Sequence, residues 1–224
     1  MSNKREEENT MLKVLIADDH PVVREGIKQI INKAGDINVG GEALTGQEVL
    51  DKIESEKWDA VILDLNMPGK DGFEVLKTIR HEHPRLPILV LSIYSEDQMG
   101  VRVLRAGASG FLNKESAPKE LLNAIRKICS GGKYISPSLA EKLAFDIEVH
   151  TDLEPHKLLS NREFQTLCLL ASGKTINEIA DTLSISDKTV RTYRERLLKK
   201  INLKNDVELT HYALKYKLIE LFDR

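Results

Sequence analysis

Cysteine is scarce: the chain has two, Cys129 and Cys168. They lie far apart and in no metal-like spacing, which argues against a cysteine-built zinc site and suits a reducing compartment. Both are expected as small core residues. Long apolar runs are missing as well. None reaches the roughly 18 residues of a membrane span, so no membrane partner is expected and a cytoplasmic location is. A surplus of positive charge is also lacking: the formal net charge is -2. That argues against a globally basic nucleic-acid binder, although the halves of a chain can differ in charge. The first residues have no apolar segment of the signal-peptide kind. With Lys4, Arg5, Glu6, Glu7 and Glu8 close together, residues 1–11 are expected to be a disordered tail. What is present is a 224-residue chain, 41% hydrophobic and 30% charged. That is enough for one large domain or two ordinary ones, each with a core of its own.

The first half is organised around Val61-Ile62-Leu63-Asp64-Leu65-Asn66-Met67-Pro68-Gly69. Apolar residues run into one carboxylate and a Pro-Gly turn follows, the pattern of a buried strand. Taken alone, Asp64 also reads as a helix cap or turn former. Its company decides otherwise. Val14 to Ala17 reads as a strand ending in Asp18-Asp19, and His20-Pro21 opens a helix carrying Val22, Val23, Ile27, Ile30 and Ile31. Pro at a first helical position is favourable because no N–H is needed there. A strand near Ile37 to Gly41 and a helix from about Thr45 to Glu56 precede the Asp64 strand. After it, Asp71-Gly72 opens a helix with Phe73, Val75, Leu76 and Ile79. Pro87 to Leu91 runs as a strand into Ser92, and a weaker helix spans Glu96 to Arg105. A last strand, Ala108 to Leu112, ends at Asn113-Lys114, and a helix covers Ala117 to Cys129.

Five strand–helix alternations predict a parallel sheet covered on both faces, with right-handed crossovers. Parallel strands put every carboxyl end on one edge, where ligands bind in open α/β sheets. Asp18, Asp19, Asp64, Ser92 and Lys114 should therefore converge. Crowded carboxylates repel, and burial makes it worse. A hard divalent cation such as Mg2+, which takes carboxylate, water and phosphate oxygens, would relieve this. A carboxylate in such a site can accept a phosphoryl group. The Lys114 ammonium would spread the transferring charge, and the Ser92 hydroxyl can donate to a phosphate oxygen.

These marks, with Met67-Pro68-Gly69 and Gly107-Ala108-Ser109-Gly110-Phe111-Leu112-Asn113-Lys114, resemble the receiver domain of a two-component response regulator. The resemblance places that domain at 12–130 and implies a five-stranded, doubly wound, flavodoxin-like fold. It makes Asp64 the phosphoacceptor. Asp19 and Asp64 would bind Mg2+ directly, with the Asn66 backbone carbonyl, and Asp18 through water. Ser92 becomes the switch hydroxyl, Phe111 the switch aromatic and Lys114 the phosphate-binding cation. A plain core role for Phe111 stays open, since Tyr is usual there. Asn66 and Tyr94 stand two residues after Asp64 and Ser92, where receivers tune phosphate lifetime, and Tyr94 is expected to slow water access.

Ser130-Gly131-Gly132 stops the last receiver helix, and 131–154 reads as a linker with one helix opened by Ser136-Pro137-Ser138. Its apolar stripe, Leu139, Ala140, Leu143 and Ala144, fits packing on either domain or a dimer surface. Residues 155–224 read as a small all-α unit of four helices. Ser160–Glu163 and Thr175–Glu178 have capping-box spacing, and Ser184-Ile185-Ser186 is a tight turn before a helix from Asp187 to Lys200. Two short helices across such a turn make a helix-turn-helix. The second helix carries Lys188, Arg191, Arg194, Arg196, Lys199 and Lys200 against Asp187 and Glu195. Lys188, Thr189, Arg191, Thr192 and Arg194 lie toward its amino-terminal part, the part of a recognition helix that meets base edges. Arg pairs bidentately with guanine, while Lys and Thr suit phosphate or a thymine methyl. A last helix is predicted from Val207 to Ile219.

This half resembles the LuxR-type helix-turn-helix of NarL/FixJ-like regulators, carried by Leu159 to Glu163, Gly173, Glu178-Ile179-Ala180, Leu183 to Ser186, Thr189-Val190 and Tyr212-Ala213. Arg191 and Tyr193 depart from the usual Lys and His, and Arg differs from Lys in donor geometry. The two resemblances together imply a DNA-binding regulator, not an enzyme, phosphorylated on Asp64 by a histidine kinase or phosphotransfer protein and acting as a homodimer on double-stranded DNA. Two other readings fit the residues less well. A haloacid-dehalogenase-type phosphatase needs a second Asp where Asn66 stands, and its nucleophile usually ends the first strand. A ligand-sensing LuxR-type regulator would leave the carboxylate, Ser and Lys arrangement without a use.

Overall fold

The computed structural model describes residues 11–148 and 154–219. The expected tail, apart from Met11, and the last residues of the chain lie outside that range. The first unit alternates β1 (Leu12–Ala17), α1 (Pro21–Ile31), β2 (Ile37–Ala43), α2 (Gly46–Ser55), β3 (Ala60–Asp64), α3 (Gly72–Glu82), β4 (Ile88–Ser92), α4 (Glu96–Arg105), β5 (Gly110–Asn113) and α5 (Ala117–Cys129). The sheet is wholly parallel in the order β2-β1-β3-β4-β5. Strand residues alternate between two cores, as a period of two requires. Leu15, Ala17, Val61, Leu63, Val90 and Phe111 face α2, α3 and α4. Val14, Ile16, Ile62, Leu89, Leu91 and Leu112 face α1 and α5. Register sets Ala17 beside Leu63, Asp64 beside Leu91 and Ser92 beside Asn113, so the polar strand ends share one edge.

Helix starts follow side-chain caps, which satisfy otherwise orphaned N–H groups. Thr45, Asp71 and Ser95 cap α2, α3 and α4. Val22, expected on the apolar face of α1, is 84% exposed. It lies five positions before Ile27, about 140° around the helix. The linker helix α6 (Pro137–Glu148) packs on α4 of the first unit. Leu139 lies so close over Gly100 that a Cβ there would meet it at 2.8 Å. The Ser136 hydroxyl donates to Glu96, and the Ser136 N–H points to the same carboxylate.

A short 3-10 turn at Pro155–Leu158 opens the second unit, followed by α7 (Asn161–Ala171), α8 (Ile176–Leu183), α9 (Asp187–Lys200) and α10 (Asp206–Lys215). Capping boxes form at Ser160 with Glu163 and at Thr175 with Glu178. The last helix stops at Lys215, short of the expected Ile219. Lys217 takes a left-handed φ of 53°, and the Leu218 N–H returns to the Ala213 carbonyl at 2.8 Å, a Schellman closure. Among the described residues no helix is long and apolar enough to cross a membrane.

The two units sit against each other. Arg102 of α4 donates to the carbonyls of His156 (2.6 Å) and Leu159 (3.1 Å) and lies 4.0 Å from the Phe164 ring centroid. His156 is buried at this junction among Phe164, Tyr212 and Tyr216. Burial lowers its pKa to about 4 from 6.5, the nearby Arg102 and Lys157 adding to the fall and Glu154 opposing it. Between those two pH values an unfolded His156 holds a proton that the folded one does not. Stability from this residue is therefore complete above pH 6.5 and declines as pH falls toward 4. A His156→Phe chain should show a flatter fall of melting temperature across that interval than wild type. Equal slopes would show that His156 does not set the acid sensitivity.

Candidate functional site

Four strand ends build the site. β1 delivers Asp18 and Asp19, β3 delivers Asp64, β4 delivers Ser92 and β5 delivers Lys114 just beyond Asn113. The Lys114 N–H donates to the Ser92 carbonyl at 2.8 Å, tying the β5 exit to the β4 exit. The Lys114 ammonium then reaches back, 2.8 Å from Asp64 Oδ2 and 2.8 Å from Asp18 Oδ2. The Asn66 N–H donates to Asp64 Oδ1 at 3.1 Å, a turn made at the strand end. Asp18 and Asp64 are buried, Asp19 is half-buried and His20 exposed. His20, not singled out in the sequence, joins the cluster. Its N–H donates to Asp18 Oδ1 at 2.8 Å, and its Nδ1 lies 2.9 Å from Asp19 Oδ1.

Burial raises the Asp64 carboxyl above its usual range; Lys114 opposes this, and the neighbouring Asp18 adds to it. Burial pulls the Lys114 ammonium down, but Asp64 and Asp18 outweigh it and hold it above its usual value. Donor atoms of Asp18, Asp19, His20 and Asp64 lie within 4.8 Å of one another. Three carboxylates against one ammonium leave surplus negative charge among hard oxygens. That donor set fits Mg2+ better than a softer metal.

Ser92 is fully buried, and its hydroxyl accepts the Tyr94 N–H at 3.2 Å. Phe111 is 2% exposed. Its ring packs in the core between the sheet and α2, α3 and α4. Tyr94 is buried too, its hydroxyl without a hydrogen-bond partner among the described residues.

The second unit meets the margin of the site at Asn66 and Asp71, which nothing in the sequence suggested. Gln165 of α7 is fully buried and donates from Nε2 to Asn66 Oδ1 at 3.0 Å. Arg162 lies 3.7 Å from Asp71 and donates to Gln165 Oε1 at 3.4 Å. A polar residue on a helix and a turn Asn carry no pairing signal in a single sequence.

On α9, Val190, Leu197 and Leu198 anchor the helix in its core. Lys188 and Arg191 are exposed, while Thr189, Thr192 and Arg194 are half-buried. The Thr192 hydroxyl donates to the Lys188 carbonyl, and the Thr189 hydroxyl pairs with Ser186. Arg194 donates to Asp206 of α10 at 2.8 and 3.1 Å. Of the five candidate DNA contacts, then, Lys188 and Arg191 are the ones presented outward, and Arg194 ties α9 to α10.

Residues 14–126 match the family described as response regulator receiver domain, and residues 157–213 match bacterial regulatory proteins, luxR family. The chain is 37% identical over 209 residues to the response regulator UvrY of Escherichia coli (strain K12), covering 93% of this chain and 96% of that one. It is 34% identical over 213 residues to the response regulator GacA of Pseudomonas aeruginosa, with 94% and 99% covered. Among solved structures, RcsB from Salmonella enterica serovar Typhimurium bound to promoter rprA is similar at 29% identity and a TM-score of 0.61, with 91% of this chain and 98% of that one covered. A structure of two RcsB dimers bound to two parallel DNAs is similar at 30% identity and a TM-score of 0.56, with 92% and 98% covered.

The charge balance has a measurable consequence. Because the folded pKa of Asp64 is raised, ionising this carboxyl costs the fold stability. Asp64→Asn should therefore raise the urea midpoint in metal-free buffer. Lys114→Met removes the counter-charge of a buried pair and should lower stability by about 3 kcal/mol. Unchanged midpoints for both would mean that the ammonium is not what balances this edge.

Proposed function

This chain belongs to the response regulators that join a receiver domain to a LuxR-type helix-turn-helix, and we propose that Asp64 is the residue through which its DNA binding is controlled. The observation that carries this is the convergence of Asp18, Asp64 and Lys114, with both ion pairs at 2.8 Å, at the carboxyl edge of the sheet. We read residues 12–130 as the receiver, 131–154 as the linker and 155–224 as the DNA-binding domain.

A sensor histidine kinase or phosphotransfer protein donates a phosphoryl group to Asp64. Asp19, Asp64 and the Asn66 carbonyl would hold Mg2+, with Asp18 through water. The metal supplies charge neutralisation for the transferring group. The chain's own groups do the rest. Lys114 already sits at the carboxylate it would share with phosphate, and its raised pKa keeps it cationic. The Ser92 hydroxyl, which accepts the Tyr94 N–H, can donate its own proton to a phosphate oxygen. A phosphoryl group brings about -1.5 to -2 of charge. That displaces Lys114 from Asp18 and shifts the population toward a form that dimerises.

The homodimer would set two α9 helices about 34–36 Å apart on successive major grooves. Lys188 and Arg191 extend toward DNA, Thr189 and Thr192 lie beside them, and Arg194 contributes from its tether to Asp206. The relative RcsB has been solved bound to promoter rprA and as two dimers on two parallel DNAs, which supports the same reading here. The protein acts as a cytoplasmic regulator rather than as an enzyme, since the group it modifies is its own.

DNA affinity and solution mass, with and without Mg2+ and a small phosphodonor, test this for wild type and Asp64→Ala. Treated wild type alone should dimerise and bind DNA more tightly, by about tenfold or more. If both proteins respond alike, control by Asp64 is wrong and the helix-turn-helix reading alone survives.

A further inference from the structure

The second unit does not cover its own DNA-facing surface when it seats on the first. It meets the turn that follows the phosphoacceptor, with Gln165 seated on Asn66. Gln165 is fully buried, with its Nε2 3.0 Å from Asn66 Oδ1 and its Oε1 3.4 Å from Arg162. Asn66 in turn holds Asp64 through its N–H at 3.1 Å. The Asp64 side chain has no exposed surface, and Tyr94 beside it is 3% exposed. Meanwhile Lys188 and Arg191 of α9 stay exposed.

We propose that α7 is a cover over Asp64 and that Gln165 is a positioning residue for phosphoryl transfer, acting through Asn66 to keep the cover seated and slow the arrival of phosphodonor. The proposal rests on Asp64 being the phosphoacceptor. In the step itself an Asp64 carboxylate oxygen forms a bond to phosphorus as the bond from phosphorus to the donor's oxygen breaks. With acetyl phosphate as donor, acetate leaves with the electron pair and no proton moves. In-line transfer needs room for the donor at the nucleophile and a clear line for its leaving group. A carboxylate with no exposed surface offers neither, so transfer proceeds from the fraction of molecules in which α7 has lifted. The observed rate scales with that fraction.

A second set of contacts holds the same cover at a distance from Asp64. Arg102 of α4 donates to the carbonyls of His156 and Leu159 and, at 3.4 Å, to Asn161 Oδ1 at the start of α7. Loosening this latch should have the same effect as loosening Gln165, although it touches nothing in the phosphoacceptor pocket. A DNA surface that is exposed in the seated form should be indifferent to both.

The test uses the full chain with Mg2+ and acetyl phosphate, following the phosphorylated fraction by intact mass. Gln165→Met keeps the volume and removes the amide; Arg102→Met loosens the remote latch. Both are expected to label about fivefold faster than wild type, the order of one lost hydrogen bond, while binding DNA without phosphodonor as wild type does. A misfolded variant would label more slowly, so a gain cannot come from damage. If neither variant gains while Asp64→Ala stays unlabelled, the cover is wrong and the phosphoacceptor stands. A gain with Gln165→Met alone confines that residue to a local effect on Asn66 and also overturns the cover. Tighter DNA binding by either variant without donor would show that seating hides the DNA surface after all. Label on Asp64→Ala at the wild-type rate would remove the phosphoacceptor reading and the proposal with it.

Discussion

One ammonium group balances two buried carboxylates that arrive on different strands. Lys114 follows β5, Asp18 follows β1 and Asp64 ends β3, and all three meet only because the strands run parallel in one register. The compensation is incomplete. Asp64 remains raised and Asp19 adds a further charge, so the edge is electrostatically unsatisfied as it stands. Such sites trade stability for chemistry. A better-balanced edge, with Asn in place of Asp64, would hold together more firmly and have nothing to offer a phosphoryl group.

The same edge is also where the two units meet, and this joins their equilibria. The buried apolar residues of the sheet face and of α7 form one continuous cluster, with Tyr94, Phe164 and Cys168 within it. Whatever favours separation at one surface must favour it at the other by the same free energy. The buried Gln165 thus belongs to the same balance as the Asp64 edge, whereas Arg191, exposed in the seated form, stands outside it.

The order of elements and the convergence of Asp18, Asp19, Asp64, Ser92 and Lys114 were legible because both follow from short-period patterns. Strand residues alternate or run apolar, helices repeat, and parallel connectivity then dictates which ends meet. Ser160 and Thr175 announced their helices because a cap and its partner lie three residues apart. Features set by backbone conformation were not legible: Lys217 turns left-handed although its type gives no hint of it, so α10 ends early. Val22 misled because an apolar residue near a helix start is counted with the stripe even when its angle differs. Least legible was the contact of Gln165 with Asn66, ninety-nine positions apart. Nothing in residue type distinguishes a Gln that faces water from one that faces another domain.

The caps of the second unit bear on how the chain comes into being. Ser160, Thr175, Ser186 and Asn205 each fix a helix start by accepting an N–H three residues on. Local contacts of this kind make for rapid folding, whereas a parallel sheet must bring distant strands together first and is slow. β1 must wait for β3, more than forty residues later, before its inner edge is paired. Synthesis delivers the slow unit first. The sheet therefore has a head start, the helices form quickly once they emerge, and the seating of α7 over the β3 edge is the last event, needing both surfaces complete.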